Sequence, residues 1–305
     1  MVTQSVAPPP KPAPVGWRLW LVAIRPRILP ASVSPILVGT GVAIHEGGFR
    51  WAAALAAMLT AMLLQIVSNL ANDVFDFHKG ADQTRLGPIR MTQSGMISAR
   101  RMLIATWVAA GLAVLTGLYL VWIGGWPILV LGLVALLAAF AYTAGPFPLG
   151  YHGLGEVFVI IFFGFAAVTG SAYVQTGDIT GLALVAAIPM GCLIAAIIVV
   201  NNLRDINTDR AAHKRTVAVR IGVTWTRVEY ALFLIVALAT PISLALTGNL
   251  SRWLFWLPLL TVPMAVRLVR GVATLEGRPL NKVLGGTAQL TLYFGLLFTA
   301  ALALS

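Results

Sequence analysis

Residues 181–210 read GLALVAAIPMGCLIAAIIVV followed by NNLRDINTDR, and the change in chemistry between the two parts decides the fold. The first part is uncharged and long enough to cross the hydrocarbon core of a bilayer as an α-helix. The second part contains Asp205 and Asp209, at the point where that helix would leave the membrane. Carboxylates at the end of a membrane helix are costly unless they face a partner or a water-filled cavity. The stretch therefore predicts a transmembrane helix that ends in a functional site.

Similar apolar runs occupy almost the whole chain, which is 305 residues long, 59% hydrophobic and only 10% charged. Soluble domains carry about 25% charged residues, so the composition excludes a soluble protein. We predict an all-α, polytopic membrane protein: residues 17–305 form a bundle of nine transmembrane helices, with cytoplasmic loops capping the active site. The predicted spans are 28–45, 51–71, 102–122, 126–144, 153–174, 182–202, 228–247, 253–270 and 285–304.

The N-terminal residues 1–16 have a different composition, because prolines replace the apolar run. They are predicted to form a disordered, proline-rich tail. The single cysteine, Cys192, lies inside an apolar run, which excludes a disulfide or a cysteine-based metal site within one chain.

The lysines and arginines test the predicted count of spans, because basic residues accumulate on the cytoplasmic side of a membrane protein. With nine spans, all of the 21 basic residues except Arg50 and Arg252 fall on one side. This segregation predicts a cytoplasmic N-terminus and a C-terminus on the outer side. It also explains the net charge of +11 by membrane topology, so no nucleic-acid partner is predicted.

The predicted cytoplasmic ends of the second and sixth spans each carry a cluster of aspartates and asparagines. The first cluster comprises Asn72, Asp73, Asp76 and Asp82, and the second comprises Asn201, Asn202, Asp205 and Asp209. Both contain an asparagine four residues before an aspartate, a spacing that puts the two side chains on one face of a helix. Carboxylate and amide oxygens without histidine or cysteine suit a hard cation such as Mg²⁺.

Basic residues surround both clusters and would bind the phosphates of a substrate. They are Lys79, Arg85, Arg90, Arg204, Arg210, Lys214 and Arg215. Basic loops alone would be explained by topology, but the duplicated aspartate pattern would not. Together the two clusters predict a magnesium–diphosphate site. By contrast Glu46, Asp178 and Glu229 lack such neighbours and are expected to be solvated, while Glu156 is left open.

The chain resembles the UbiA superfamily of intramembrane aromatic prenyltransferases from about Arg25 to the last predicted span. Both aspartate motifs carry this resemblance, since they follow the second and sixth predicted spans. Within the superfamily the chain is most similar to the branch that uses 1,4-dihydroxy-2-naphthoate, in four stretches. These are Arg25-Pro-Arg-Ile-Leu-Pro30, Gly87-Pro-Ile-Arg-Met-Thr-Gln-Ser-Gly95, the stretch from Tyr142 through Gly150-Tyr-His-Gly-Leu-Gly-Glu156, and Asn202-Leu-Arg-Asp-Ile-Asn-Thr-Asp-Arg210. The long gap between Asp76 and Asp82 departs from the general superfamily pattern and favours this branch.

The resemblance implies a reaction in which a polyprenyl group passes from a polyprenyl diphosphate to 1,4-dihydroxy-2-naphthoate. Diphosphate and CO2 are lost, and demethylmenaquinone forms. The resemblance also implies Mg²⁺ as cofactor, with two ions expected, membrane lipid around the chain, and a location in the bacterial cytoplasmic membrane.

The resemblance further assigns roles to individual residues. The expected metal ligands are Asn72, Asp73, Asp76, Asp82, Asn201, Asp205 and Asp209, and the aspartates at 76, 82, 205 and 209 are expected to be catalytic. Diphosphate contacts are expected from Lys79, Arg85, Arg90, Lys214 and Arg215, and contacts to the aromatic acceptor from Arg25, Arg27 and Asn202. Tyr142 is expected either to face the allylic cation or to serve as a structural tyrosine at the membrane interface.

Two alternatives remain open from sequence alone. One is a member of the same superfamily with another aromatic acceptor, such as 4-hydroxybenzoate or homogentisate. The other is an ion-coupled transporter, which would place its carboxylates near the bilayer midplane within inverted repeats. The clusters here lie at span ends and on one side, which disfavours the transporter.

Overall fold

The computed structural model describes residues 16–78, 86–142 and 148–305, and helices are the regular elements throughout these ranges. The all-α prediction is confirmed for them, whereas the predicted tail lies outside them except for Gly16. The helices are α1 (Trp17–Ile24), α2 (Pro30–His45), α3 (Trp51–His78), α4 (Ala99–Gly124), α5 (Trp126–Ala141), α6 (Gly155–Val159), α7 (Ala167–Thr176), α8 (Gly181–Ala211), α9 (Val217–Leu246), α10 (Trp256–Leu259), α11 (Val262–Thr274) and α12 (Leu280–Ala303). A π-helical segment, Ile160–Ala166, joins α6 to α7.

Six helical stretches of the described chain are long and apolar enough to cross a membrane, which confirms an integral membrane protein. A seventh is obtained if α1 and α2, which bend by 51° across their junction, are taken as one span. The predicted count of nine is not confirmed. Helix α5 has 16 residues and a length of about 24 Å, short of the roughly 30 Å hydrocarbon core. The predicted span 253–270 is divided between α10 and α11.

Helix α8 lies at the centre of the bundle. Of its most apolar window, 78% is buried, against 17% to 44% for the other five stretches of spanning length. It packs against α2, α7, α9, α12 and the π-helical segment. Because α8 is enclosed on most sides, the aspartates at its C-terminal end occupy a fixed place in the fold.

The C-terminal ends of α3 and α8 lie at the same end of the bundle, which we call the aspartate end. Helix α1 is fastened there, because the Asn69 side-chain amide donates a 2.9 Å hydrogen bond to the carbonyl of Ile24. Helix α12 also begins there, where Asn281 accepts a 2.8 Å hydrogen bond from Arg204. The chain ends at the opposite end, where the Ser305 hydroxyl accepts a hydrogen bond from the backbone N–H of Ser251.

A cavity of about 240 Å³ lies between α2, α3, α4, α5, α7 and the π-helical segment, and its walls are predominantly apolar. Gln65 and Ser68 line it towards the aspartate end, and Ile128 and Val174 line it at the other. Ser68 precedes Asn72 by one helical turn, so this end of the cavity lies one turn from the first aspartate cluster. Val114 and Leu118 form part of its wall and are also exposed on the surface of the bundle, where lipid would lie.

The π-helical segment approaches α8 closely through a pair of glycines. A Cβ atom added at Gly164 would lie 2.8 Å from the Cα atom of Gly191 and 3.2 Å from the carbonyl oxygen of Ala187. Both of these atoms belong to backbone, which cannot move aside as a flexible side chain can. Small residues that let helix backbones approach are a common basis of helix packing in membranes.

We expect Gly164→Ala to destabilise the protein by about 1–3 kcal/mol, because the added methyl group overpacks this crossing. The measurement is the thermal unfolding midpoint of detergent-purified protein. Gly111→Ala is the matched control: Gly111 lies inside α4 with no atom within 4 Å of its added Cβ. Alanine is favoured over glycine in a helix, so this control should match or exceed the wild-type midpoint. Equal midpoints for Gly164→Ala and wild type would contradict the glycine contact.

Candidate functional site

Asp73 fixes the loop that follows the first cluster. Its two carboxylate oxygens accept hydrogen bonds from the backbone N–H groups of Met91, at 3.1 Å, and Thr92, at 2.9 Å. Asp73 was predicted to be a metal ligand, but both of its carboxylate oxygens accept hydrogen bonds from the loop. The consequence is that Arg90, directly before these two amides, is held against the end of α3.

Asp76 lies three residues after Asp73 on α3, and its carboxylate faces Arg90. The Arg90 guanidinium donates to one oxygen of Asp76 at 2.8 Å, and the Tyr151 hydroxyl donates to the other at 2.9 Å. Asp76 is 3% exposed and Arg90 6% exposed, so the ion pair is shielded from water. A charge-assisted pair in such surroundings is strongly held.

The second cluster is organised around Arg204. Its guanidinium forms a bidentate ion pair with the Asp205 carboxylate and also donates a 2.9 Å hydrogen bond to the side-chain oxygen of Asn201. The same group reaches α12 through Asn281. The Asn281 side-chain amide in turn donates to the carbonyl of Leu86, in the loop after α3. The second cluster is therefore connected through Arg204 and Asn281 to the loop that follows the first cluster.

A second connection runs through Tyr151. Its hydroxyl binds Asp76, and the ammonium group of Lys214 lies 4.4 Å from the centroid of its ring. Lys214 also lies 3.9 Å from a carboxylate oxygen of Asp209. The Tyr151 backbone carbonyl accepts the N–H of Arg215 at 2.8 Å, which holds the tyrosine against the loop after α8. Residues from three separate loops thus meet at the aspartate end.

Tyr142 and Glu156 border this arrangement. Tyr142 follows the last residue of α5, and its ring centroid lies 5.9 Å from that of Phe158. Burial raises the pKa of the Tyr142 phenol above its ordinary value, and the nearby carboxylates of Glu156, Asp76 and Asp209 add to this. The phenol therefore stays protonated at neutral pH.

Glu156 is 4% exposed, and its Oε1 atom accepts a 2.8 Å hydrogen bond from the side-chain amide of Asn202. Its Oε2 atom is buried and has no hydrogen-bond partner among the described residues. Asn202 was predicted to contact the aromatic acceptor, and here it holds Glu156.

The remaining predicted residues differ in their placement. Arg25 is half-buried and has a left-handed backbone with a φ of 59°, while Arg27 is exposed. Asn72 and Asn201 are half-buried beside their clusters, and Arg215 is exposed. Lys79, Asp82 and Arg85 lie outside the described residues.

In residues 16–78, 86–142 and 148–305, no three histidine, cysteine, aspartate or glutamate side chains are grouped so as to hold a metal ion. Asp76, Asp205 and Asp209 each face a basic side chain instead. The donor set is nevertheless the one that a magnesium site requires, since it consists of carboxylate and amide oxygens.

Two residues of the site were not predicted. Tyr151 and Asn281 carry no charge, and the segment that contains Tyr151 has no lysine or arginine. The pattern of charged residues therefore does not indicate either residue. The one sequence signal for Tyr151 is its position within the stretch Tyr142–Glu156 that carries the resemblance. Outside the site, Glu229 was expected to be solvated, but it is half-buried, and its Oε2 atom is buried without a hydrogen-bond partner among the described residues. Glu46 and Asp178 are exposed, as expected.

Two solved structures share this fold. A UbiA homolog from Archaeoglobus fulgidus bound to GPP and Mg²⁺ matches with a TM-score of 0.67 and 14% identity, over 94% of this chain and 100% of that one. A UbiA homolog from Aeropyrum pernix K1 matches with a TM-score of 0.69 and 16% identity, over 88% and 96%. At these identities the likeness concerns the fold.

Sequence relatives are much more similar. The 1,4-dihydroxy-2-naphthoate octaprenyltransferase of Escherichia coli (strain K12) is 38% identical, over 94% of this chain and 95% of the relative. The protein of the same name from Mycobacterium leprae (strain TN) is 35% identical over 94% and 96%. The profile of the UbiA prenyltransferase family matches residues 32–284. The resemblance inferred from the aspartate motifs is confirmed, and the chain belongs to the UbiA prenyltransferase family.

Proposed function

We propose that this chain transfers a polyprenyl group from a polyprenyl diphosphate to 1,4-dihydroxy-2-naphthoate, with loss of diphosphate and CO2. The observation that carries the reaction class is that two aspartate clusters are joined through Tyr151 at one end of an apolar cavity. The choice of acceptor rests on the naphthoate octaprenyltransferases, which align over nearly the whole chain. Prenyl transfer with decarboxylation involves no oxidation, so the product is the quinol, which is the reduced form of demethylmenaquinone.

Mg²⁺ is the proposed cofactor, and two ions would account for the two separate oxygen clusters. Asn72, Asp76 and Asp82 would hold one, and Asn201, Asp205 and Asp209 the other. Bound there, magnesium supplies positive charge that stabilises the leaving diphosphate. Asp73 would act on the loop, since both of its oxygens already accept backbone N–H groups.

The basic residues would share the work of holding the diphosphate. In the described state Arg90, Arg204 and Lys214 neutralise Asp76, Asp205 and Asp209. We propose that Arg90, Lys214 and Arg215, together with Lys79 and Arg85, bind the phosphate oxygens when the substrate is present. Fixed donors at the leaving group stabilise the charge that develops there as the allylic C–O bond breaks.

The apolar cavity would hold the first part of the prenyl chain. It begins one helical turn from Asn72 and has few polar groups in its walls. Tyr142 and Phe158 would present aromatic rings to the allylic carbon, where positive charge appears. Arg25 and Arg27 are proposed to meet the carboxylate of the acceptor, and the turn that carries them is tied to α3 through Asn69.

We further propose that the aspartate end faces the cytoplasm of a bacterial cell, with the C-terminus on the outer side. The segregation of the basic residues supports this orientation.

The test is an assay of purified protein in detergent with 1,4-dihydroxy-2-naphthoate, a polyprenyl diphosphate and Mg²⁺, with and without a chelator. A prenylated, decarboxylated naphthoquinol that requires Mg²⁺ is the expected product. Product from 4-hydroxybenzoate or homogentisate alone would preserve the reaction class and reject the acceptor. Folded protein that is inactive with all three acceptors would reject the proposal.

We expect Asp76→Asn and Asp205→Asn each to lower turnover by at least about a thousandfold, because metal charge at the leaving group contributes several kcal/mol. Asparagine preserves the shape and a hydrogen-bond acceptor, which avoids leaving Arg90 or Arg204 wholly unpaired. Turnover is measured on fractions that elute as folded protein. Asp178→Asn is the control, because Asp178 is exposed near the opposite end of the bundle. Near-normal turnover in either site variant would contradict the metal assignment.

We expect Tyr151→Phe to raise the Mg²⁺ concentration needed for half-maximal activity by about 10- to 100-fold. A hydrogen bond that orients a metal-binding carboxylate typically has an effect of this size. The ring that faces Lys214 is retained, so the change isolates the hydroxyl group. Tyr173→Phe provides the comparison, because it removes a hydroxyl that donates to the carbonyl of Gly124 at the other end. Coincident Mg²⁺ titrations for Tyr151→Phe and wild type would argue against the connection to Asp76.

A further inference from the structure

Glu156 has a buried carboxylate. One of its oxygens accepts a hydrogen bond, and the other accepts none from the described residues. Asn202 holds Oε1 at 2.8 Å, whereas Oε2 is buried without a hydrogen-bond partner in the described chain. A buried polar atom left in this state costs about 1–3 kcal/mol of stability, and more if the group is charged. Such an atom in a native fold calls for a donor that the described residues do not supply, and a bound substrate can provide one.

The position of Glu156 identifies where that donor would stand. Asn202, which holds it, lies one turn before Asp205 on α8. Tyr142 also lies nearby, since a Cβ atom added at the neighbouring Gly155 would be 3.1 Å from the Tyr142 hydroxyl oxygen. Phe158, two residues further on, lines the apolar cavity. The carboxylate thus lies beside Tyr142 and the second aspartate cluster, and the helix that carries it also forms part of the cavity wall.

We infer that Glu156 is a catalytic base that accepts the proton of the acceptor's hydroxyl group next to the attacked ring carbon. The inference rests on the proposed function. The matching donor is a phenolic hydroxyl, and Oε2 supplies the acceptor atom that this hydroxyl requires. Asn202 orients the carboxylate by its bond to Oε1.

The electrons and protons balance without any further reactant. The ring carbon that bears the carboxylate forms the new C–C bond, and the allylic C–O bond breaks with its electron pair leaving on diphosphate. The O–H pair of the adjacent hydroxyl becomes part of a C=O bond, and the proton passes to Glu156. The product of this step is a β-keto acid.

A β-keto acid can release CO2 because the carbonyl group accepts the electron pair of the broken C–C bond. The resulting oxyanion recovers the proton from Glu156, and the ring becomes aromatic again as the quinol. One carboxylate therefore serves both prenylation and decarboxylation, first as base and then as acid.

The test compares Glu156→Gln with Glu46→Gln. Both variants replace a glutamate by its amide, but Glu46 is exposed and follows the last residue of α2, at the end of the bundle opposite to the site. Glu156→Gln can still accept the Asn202 bond, but it presents a donor where a base is needed. We expect its kcat to fall by about 10²- to 10⁴-fold, as general-base removal typically does, while Glu46→Gln stays close to wild type.

Two further readouts separate catalysis from structure. Mg²⁺-dependent binding of the polyprenyl diphosphate, measured by equilibrium binding, should be unchanged in Glu156→Gln. The second readout blocks the hydroxyl by using 1-methoxy-4-hydroxy-2-naphthoate as acceptor. This acceptor should slow single turnover by wild-type protein but cause little further loss in Glu156→Gln. The reason is that the blocked hydroxyl and the substitution remove the same proton transfer.

The outcomes are distinct. Inactive wild-type protein with 1,4-dihydroxy-2-naphthoate would reject the proposed function itself. Active wild type with equally active Glu156→Gln would overturn only the inference. Loss of diphosphate binding in Glu156→Gln would show a structural role, and additive losses with the blocked acceptor would show that Glu156 does not act on that hydroxyl. Either result overturns the inference.

Discussion

Charge compensation at the aspartate end is the constraint on which the rest of this structure depends. Asp76, Asp205 and Asp209 lie at the ends of long apolar helices, where water is scarce and an isolated carboxylate is costly. Each faces an arginine or a lysine. Because those basic residues come from other parts of the chain or extend to them, compensating the charges also fixes the loops between the helices. The site and the framework around it are therefore held by the same interactions.

The same constraint would allow the site to exchange one set of partners for another. In the proposed complex, Asp76 would pair with a metal ion and Arg90 with a phosphate group, and each would replace one opposite charge by another. Magnesium and the diphosphate would enter with charges that largely offset each other. Burying separate charges would oppose this exchange, whereas replacing one ion pair by another largely avoids that cost.

Much of the fold and part of the site could be predicted from sequence, because hydropathy and charge are local properties. Apolar runs located the helices, and the repeated asparagine–aspartate spacing located both clusters. The count of nine spans is not confirmed, because α5 is short and one predicted span is divided between α10 and α11. Tyr151 could not be found this way, since its importance arises from tertiary contacts with Asp76 and Lys214. The partial burial of Glu229 could not be predicted either, because it depends on which face of α9 packs inward.

The π-helical segment Ile160–Ala166 also determines how α6 is rotated about the helix axis relative to α7. A π-turn accommodates an extra residue within a helix, so it sets the angular phase between the parts on either side. Each residue of an α-helix turns the chain by about 100°. The Gly164 contact with α8 fixes the phase of one side, and Glu156 lies on the other. If the same residues formed a regular α-helix instead, Glu156 would be rotated by up to about 100° relative to Gly164 and away from Asn202, without a change in any residue of the site itself.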